Sequence, residues 1–309
     1  MGRAKHTPQQ RGHLITEQRN PRSVDLDRLS VREVLELINA EDATVAAAVQ
    51  AAIPRIEQFV DRAVAALAAG GRLIYVGAGT SGRLGVLDAS ECRPTFSVPP
   101  NMVVGLIAGG PSALTRSIEG AEDRPEDGAQ ALAELEPTSG DCVLGIATGG
   151  TTPFVIGALE LARQRGAGTG FLLCTAEADV DVEVDIIIPV VVGPEVITGS
   201  TRMKAGTATK LVLNMISTTA MVQLNKTYSN LMVDLRALND KLWDRGSRII
   251  AELTGRDYAA SLALLQEADG EVKVALVMHH HKVSLAEARQ SLAAAQGELR
   301  RVLEWEQER

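Results

Sequence analysis

Short, continuous runs of apolar residues recur between longer stretches of helical periodicity, and they predict the strands of one sheet. Five such runs occupy residues 73–76, 103–108, 142–147, 170–174 and 185–192. Continuous apolar runs are typical of strands that are covered on both faces, as in a parallel sheet. The intervening segments, such as 113–135 and 153–165, suit crossover helices. We therefore predict an α/β fold, built on a doubly wound, five-stranded and mostly parallel sheet.

Helical patterns flank the predicted sheet on both sides. Residues 1–22 are polar and predict a mobile arm. Ser30 and Glu33 have the spacing of a capping box at the start of a helix. Further predicted helices cover 42–69 and 201–224, and beyond residue 245 there are only short amphipathic helices. We divide the chain into an arm and helix (1–50), an α/β domain (51–245) and a small C-terminal helical module (246–309).

Charge and composition narrow the classes of partner. The chain carries 39 acidic and 31 basic residues, for a net charge of −8. Such a surface repels nucleic acid and anionic membranes, so we expect neither as a partner. Apolar stretches are too short for a membrane span, and the first 20 residues lack the apolar core of a signal peptide. The three cysteines have neither metal nor disulfide spacing, which predicts reduced thiols and a cytoplasmic protein.

The loop after the first predicted strand is the strongest chemical signal. It reads Gly77-Ala-Gly-Thr-Ser-Gly82 and runs into a helix. Backbone N–H groups and hydroxyls in such a loop bind anions, so Thr80 and Ser81 are candidate phosphate ligands. The glycine spacing also matches a dinucleotide pattern, but that pattern needs a carboxylate after the second strand, where residues 108–111 have none. A glycine turn required only for packing is the other alternative.

Two more helix starts are rich in hydroxyl groups. Residues 148–153 read Thr-Gly-Gly-Thr-Thr-Pro after the third strand, and residues 200–204 read Ser-Thr-Arg-Met-Lys. Strand ends of a doubly wound sheet share one edge, which favours anion binding there over simple helix capping. The further candidate ligands are Thr148, Thr151, Thr152, Ser200, Thr201 and Lys204.

Glutamates are the candidate acids and bases. Glu91 follows the first loop by about three helical turns, whereas Glu119 and Glu122 cannot be ranked by pattern. Most glutamates are only surface charges, which is the alternative for each. No histidine lies in the α/β domain, since the five are His6, His13 and residues 279–281. Adjacent histidines on a helix point to different faces, so we predict no metal site.

Several motifs together resemble one family. Residues 77–85, followed by Asp88-Ala-Ser-Glu-Cys92, resemble the signature of the N-acetylmuramic acid 6-phosphate etherases, which belong to the sugar isomerase (SIS) domain superfamily. The resemblance extends over essentially the whole chain. Its other motifs lie at residues 14–21, 105–110, 119–123, 197–210 and 230–234.

The resemblance implies a homodimeric carbon–oxygen lyase of peptidoglycan recycling that needs no cofactor. Such an enzyme cleaves the lactyl ether of N-acetylmuramic acid 6-phosphate by elimination and water addition, giving N-acetylglucosamine 6-phosphate and D-lactate. By motif position, Glu91 is the proton donor to lactate and Glu122 the second acid/base residue. Thr80, Ser81 and Thr152 hold the phosphate. The residues implied to line the pocket are Ser200, Thr201 and Lys204.

The sequence also departs from the family pattern. Gly149 and Thr151 stand where these etherases often have serine and arginine, and we hypothesise that Thr148 and Thr151 compensate. Asn225 and Ser229 stand where glycine is expected. Two other functions are the alternatives: a non-catalytic sugar-phosphate-binding regulator resembling the glucokinase regulatory protein, and a phosphosugar isomerase. A pure binder has no need of two carboxylates, and an isomerase usually has a histidine or an additional glutamate near the ring oxygen.

Overall fold

The computed structural model describes residues 11–177 and 180–304, and it contains the predicted sheet. The strands are β1 (Leu73–Gly77), β2 (Val103–Ile107), β3 (Cys142–Ile146), β4 (Gly168–Leu173) and β5 (Ile186–Pro189). Their order is β2-β1-β3-β4-β5, and every neighbouring pair is parallel. The prediction of a doubly wound five-stranded sheet is confirmed. The strand order reverses between β1 and β3, and ligands of such folds bind beside the carboxyl ends at that point.

The centre of the sheet is fully buried, because helices cover both faces. All five residues of β1 and all five of β3 are buried. The helices of this region are α1 (Val31–Asp42), α2 (Val45–Ala68), α3 (Gly79–Phe96), α4 (Pro125–Ala133), α5 (Pro153–Gln164) and α6 (Lys204–Gln223). The predicted capping box of Ser30 and Glu33 is present at the start of α1.

The predicted crossover helix at 113–135 is wrong over its middle part. A short 3-10 turn covers Pro111–Leu114, and α4 begins only at Pro125. Gly120 adopts a left-handed φ of 72°, which interrupts a helix. Arg124 is extended, as the residue before a proline prefers, and Pro125 then opens α4. Residues 115–124 therefore form an irregular segment that includes Glu119 and Glu122.

The chain divides into two compact units. The first comprises Met1–Ala89 and Val103–Ile216, and the second comprises Ser90–Met102 and Ser217–Arg309. The second unit contains α7 (Asp240–Thr254), α8 (Tyr258–Glu267), α9 (Val272–His281), α10 (Leu285–Ala294) and α11 (Leu299–Glu304). Its core is aliphatic, with Ile250, Leu265 and Val277 fully buried. Over the described ranges, every helix of the chain is too short or too polar to cross a membrane.

A buried lysine joins three parts of the second unit. The Lys273 ammonium donates to the carbonyl oxygens of Asn225 at 2.6 Å and Gly297 at 2.8 Å, and it pairs with Asp234 at 3.3 Å. Asn225 follows the end of α6 and Gly297 follows the end of α10, so the lysine links the two loops that come after these helices. Burial lowers the pKa of Lys273, while Asp234 opposes that shift. Asp234, the last residue of the 230–234 motif, thus stabilises the fold of this unit.

Asn225 and Ser229 both have the left-handed backbone for which glycine is favoured, with φ of 62° and 53°. We expect Ser229→Gly to raise the free energy of unfolding by about 1 kcal/mol, because L-residues pay a steric cost in this region. Asn225→Gly should gain less, since asparagine tolerates left-handed φ. Urea denaturation would measure both changes. Ser291→Gly, inside α10, is the control and should lower stability; an equal loss in Ser229→Gly would contradict the prediction.

Candidate functional site

A cavity of about 240 Å³ lies beside the carboxyl ends of β1 and β3, where Ala78, Ile146 and Ala147 form part of its wall. Six of the eight predicted phosphate ligands line it: Thr80, Ser81, Thr148, Thr151, Thr152 and Thr201. Thr16 adds a seventh hydroxyl, which no sequence pattern had indicated. We refer to this space as the hydroxyl-lined cavity. Its position at the point of strand reversal is where a ligand of this fold is expected.

The hydroxyl groups that line this cavity are not engaged in side-chain hydrogen bonds with the described part of the chain. Within residues 11–177 and 180–304, none of the seven makes a side-chain hydrogen bond to another described residue. Ser81 is only 7% exposed. Thr152 is the N-cap residue of α5, yet its side chain makes no capping hydrogen bond. Simple helix capping therefore does not explain Thr152, and the hydroxyls remain available to the oxygen atoms of a ligand.

Two helices begin at the cavity. Helix α3 starts at Gly79, directly after β1, and α5 starts at Pro153, after the loop that follows β3. The first N–H groups of a helix have no partner within it, and its N-terminus carries about half a positive charge. Hydroxyls and helix N-termini together suit a phosphate group.

The glycines of the first loop have a packing role of their own. A Cβ atom on Gly77 would lie 2.6 Å from the Gly82 nitrogen. A Cβ atom on Gly82 would lie 2.6 Å from the Gly77 oxygen and 2.7 Å from Ile107 Cγ1. Larger residues would force β1 and α3 apart. Close packing explains these two glycines, whereas Thr80 and Ser81 between them line the cavity.

Glu122 is distinguished from Glu119 by its position. Glu122 lines the hydroxyl-lined cavity and also an adjacent cavity of about 220 Å³, whereas Glu119 lines only the adjacent one. The Glu122 carbonyl accepts a hydrogen bond from Phe154 N at 3.1 Å, which attaches this segment to the first turn of α5. Glu122 is thus held where the two cavities meet.

Glu91 lies in the later part of α3 and is exposed. It follows Thr80 by 11 residues in the sequence. Glu91 belongs to the second compact unit and is not among the residues that line the hydroxyl-lined cavity. Glu122 and every residue that lines the hydroxyl-lined cavity belong to the first unit, and the catalytic role of Glu91 stays a prediction.

Helix α6 begins at Lys204, three residues later than predicted. Its N-terminus already has an anion, because the fully buried Glu195 carboxylate accepts hydrogen bonds from the N–H groups of Lys204 and Ala205, both at 3.0 Å. Burial raises the pKa of Glu195, and these two hydrogen bonds oppose the shift. Ser200 and Lys204 are not among the residues that line the cavity, although Thr201 is. No sequence pattern had indicated Glu195.

The Lys204 side chain enters a buried ionic network instead. Its ammonium contacts Glu41 Oε2 at 2.6 Å, and the same carboxylate receives Asn20 Nδ2 at 2.9 Å and Arg22 Nη1 at 2.9 Å. Burial on its own raises the pKa of Glu41, but Lys204, Asn20 and Arg22 outweigh it and hold the pKa below its ordinary value. Neither Glu41 nor its pairing with Lys204 was predicted.

The same network corrects the prediction of a mobile arm for residues 11–22. We call residues 11–23 the N-terminal segment; residues 1–10 lie outside the described part. Leu14 and Thr16 are each only 1% exposed. Asn20 also donates to the Pro194 carbonyl at 3.2 Å, and Ser23 Oγ to the Val196 carbonyl at 2.7 Å. These contacts fix the segment as one wall of the cavity.

Comparison with known proteins identifies the family of this chain. It is 52% identical over 294 residues to the N-acetylmuramic acid 6-phosphate etherase of Rhodopirellula baltica, covering 95% of this chain and 97% of the relative. It is also 52% identical to the Salmonella agona protein of the same name, over 95% of this chain and 99% of that protein. The chain belongs to the N-acetylmuramic acid 6-phosphate etherase family. The recognition from sequence motifs is confirmed.

Two further comparisons concern the α/β part of this etherase-family chain. Residues 55–163 match the family model of the glucokinase regulatory protein N-terminal SIS domain. A phosphoheptose isomerase structure from Francisella tularensis aligns with a TM-score of 0.47 at 20% identity, covering 64% of this chain and 99% of that one. The SIS-type fold class is confirmed by the parallel five-stranded sheet, the match to the SIS-domain model and the family assignment.

Candidate metal ligands do not cluster in the described part of this etherase-family chain, and burial affects two of its cysteines. Across residues 11–177 and 180–304, no group of three or more His, Cys, Asp or Glu side chains has an arrangement that could hold a metal ion. His279–His281 end α9, and His6 lies outside the described residues. Burial raises the pKa of Cys142 to about 12 and that of Cys174 to about 12. Both thiols are therefore protonated and unreactive at neutral pH.

Proposed function

We propose that this protein cleaves the lactyl ether of N-acetylmuramic acid 6-phosphate and yields N-acetylglucosamine 6-phosphate and D-lactate. The observation that carries the proposal is the match to etherases over nearly the full length of both chains, at 52% identity. The site supports it independently. Seven unused hydroxyls and two helix N-termini suit a sugar phosphate, and Glu122 lies at the edge of that cavity.

The proposed reaction requires only proton transfers. In the ring-opened sugar, the hydrogen on carbon 2 is acidic because the neighbouring aldehyde stabilises the carbanion. A base removes this proton, the bond from carbon 3 to the lactyl oxygen breaks, and an acid protonates the departing lactate. Water then adds to carbon 3 of the unsaturated aldehyde. Two carboxylates can perform these steps without a cofactor.

We assign the proton donor to Glu91 and the second acid/base role to Glu122, on motif position. The location of Glu122, where the two cavities meet, supports a role at the reacting carbons. For the phosphate we propose the predicted ligands that line the hydroxyl-lined cavity. We keep Ser200 and Lys204 only as motif-based predictions, because the Lys204 ammonium is already paired with Glu41.

The decisive experiment is incubation of the purified protein with N-acetylmuramic acid 6-phosphate, followed by an enzymatic assay for D-lactate. We expect stoichiometric release of lactate and N-acetylglucosamine 6-phosphate. No release, under conditions in which a known etherase is active, would reject the proposed function. Binding of sugar phosphates without release would instead favour the regulator-like alternative, with which residues 55–163 share a family model.

We further propose that the protein is a cytoplasmic homodimer that acts in peptidoglycan recycling. The substrate class supports recycling, because muramic acid is a building block of the bacterial cell wall. All three cysteines are buried and none of them forms a disulfide, which is consistent with a reducing compartment. Val31 and Leu35 are 80% and 62% exposed and lie four residues apart on α1, a face that a second copy could cover. Sedimentation equilibrium would test the dimer.

A further inference from the structure

One side chain can add a full positive charge to the hydroxyl-lined cavity. A sugar phosphate carries up to two negative charges at neutral pH. Hydroxyl groups and helix N-termini supply only partial positive charge. Glu17 and Glu122 add negative charge to the lining. Among the described residues that line the cavity, Arg11 is the one cation.

The backbone of Arg11 is held at the cavity by contacts of the N-terminal segment. Its carbonyl accepts a hydrogen bond from Leu14 N at 3.0 Å, which closes a turn. Leu14 in turn packs on the loop after β3, because a Cβ atom on Gly149 would lie 3.3 Å from Leu14 Cδ1. Asn20 anchors the far end of the N-terminal segment to Glu41.

The Arg11 side chain has no competing partner in the described part of the chain. It takes part in no ion pair or side-chain hydrogen bond there. A guanidinium group presents parallel N–H donors that match two phosphate oxygens. It is therefore available to an anion in the cavity.

We propose that Arg11 binds the phosphate group of the substrate and supplies the charge that the loop after β3 lacks. The inference rests on the proposed function for the identity of the substrate. Thr151 lines the same cavity at the position where the etherase resemblance predicts arginine. In this chain the cation comes from the N-terminal segment instead. Thr148 and Thr151 donate hydrogen bonds to the phosphate but add no charge.

The first test is binding of N-acetylglucosamine 6-phosphate, measured by isothermal titration calorimetry. Arg11→Gln should weaken binding by about 10- to 100-fold, the loss expected when a charged hydrogen bond to an anion is removed. Arg19→Gln is the matched control, because Arg19 is an exposed arginine of the same segment that does not line the cavity. Its affinity should stay within about twofold of wild type. Unchanged affinity in Arg11→Gln, or equal losses in both variants, would overturn the proposal.

A second test asks whether a positive charge at another position of the same cavity can replace Arg11. Thr151→Arg, introduced into the Arg11→Gln protein, should restore most of the lost affinity, because residue 151 lines the same cavity. Recovery supports a direct role in phosphate binding. Failure to recover, with an unchanged thermal unfolding midpoint, would show that Arg11 acts other than as a charge at this cavity and would overturn the proposal.

Inorganic phosphate separates this inference from the proposed function. Its binding to wild type and to Arg11→Gln can be titrated without any turnover. If wild type binds phosphate, Arg11→Gln does not and no lactate is ever released, the role of Arg11 stands while the etherase function fails. If lactate is released and both proteins bind phosphate equally, the function stands and the role of Arg11 fails.

Discussion

Replacing Glu122 with glutamine is expected to lower the rate of D-lactate release by about 10²- to 10⁴-fold, the range that a general acid or base contributes. The amide keeps the shape of the side chain but cannot accept the proton. Binding of N-acetylglucosamine 6-phosphate should be retained, because the hydroxyl ligands are untouched. Glu119→Gln is the matched control, since Glu119 lines only the adjacent cavity. Comparable losses in the two variants would contradict the assignment of Glu122.

Hydrogen exchange in D₂O would separate the two glutamates by role. If Glu91 only donates the proton to lactate, Glu91→Gln should still exchange the hydrogen on carbon 2 while releasing almost no lactate. Glu122→Gln should lose both exchange and release if Glu122 is the base. NMR spectroscopy of the substrate would follow the exchange. The opposite pattern would reverse the roles of the two residues, and full lactate release in Glu91→Gln would remove Glu91 from the mechanism.

The largest expected effect on stability comes from Lys204→Met. This change leaves the buried Glu41 carboxylate without its closest cation, and breaking a buried ion pair in this way costs about 3–5 kcal/mol. Urea denaturation would measure the loss. Lys210→Met, at an exposed position on the same helix, is the control and should alter stability by less than about 0.5 kcal/mol. Equal effects would show that the buried pair contributes little.

The same network predicts how stability depends on acid. The folded state holds the pKa of Glu41 below its ordinary value of 4.5, so the folded protein binds a proton less readily there than the unfolded chain. The contribution is fully present above pH 4.5 and is lost as the pH falls through the lowered pKa of the folded state. Glu41→Gln should therefore flatten this part of the stability profile. A profile identical to that of wild type would exclude Glu41 as its source.

Local patterns in the sequence were sufficient to predict the sheet and the two glycine- and threonine-rich loops that line the cavity. The five apolar runs correspond to β1–β5, because β1, β3 and β4 are buried almost throughout and the edge strands β2 and β5 are at least partly buried. The 77–82 and 148–153 loops were found because strand ends and hydroxyl clusters are local signals. The placement of their side chains around one cavity followed from the rule for doubly wound sheets.

Features that depend on distant residues were missed. Glu41, Glu195 and Arg11 look like ordinary surface charges in the sequence, and only their distant neighbours give them a role. The helical prediction for 115–124 was wrong because apolar spacing outweighed the breaking effects of Gly120 and Pro125. No local pattern indicated that Glu91 belongs to the second compact unit.

The wall formed by the N-terminal segment has a consequence for the order of folding during synthesis. Glu41 and Lys204 are separated by 163 residues, and Asn20 and Pro194 by 174. Closing loops of this length costs chain entropy, and such contacts form late. All five strands leave the ribosome before residue 204, so a nascent chain can pair its sheet while the N-terminal segment still lacks its anchors. The binding cavity is therefore completed only after α6 has emerged.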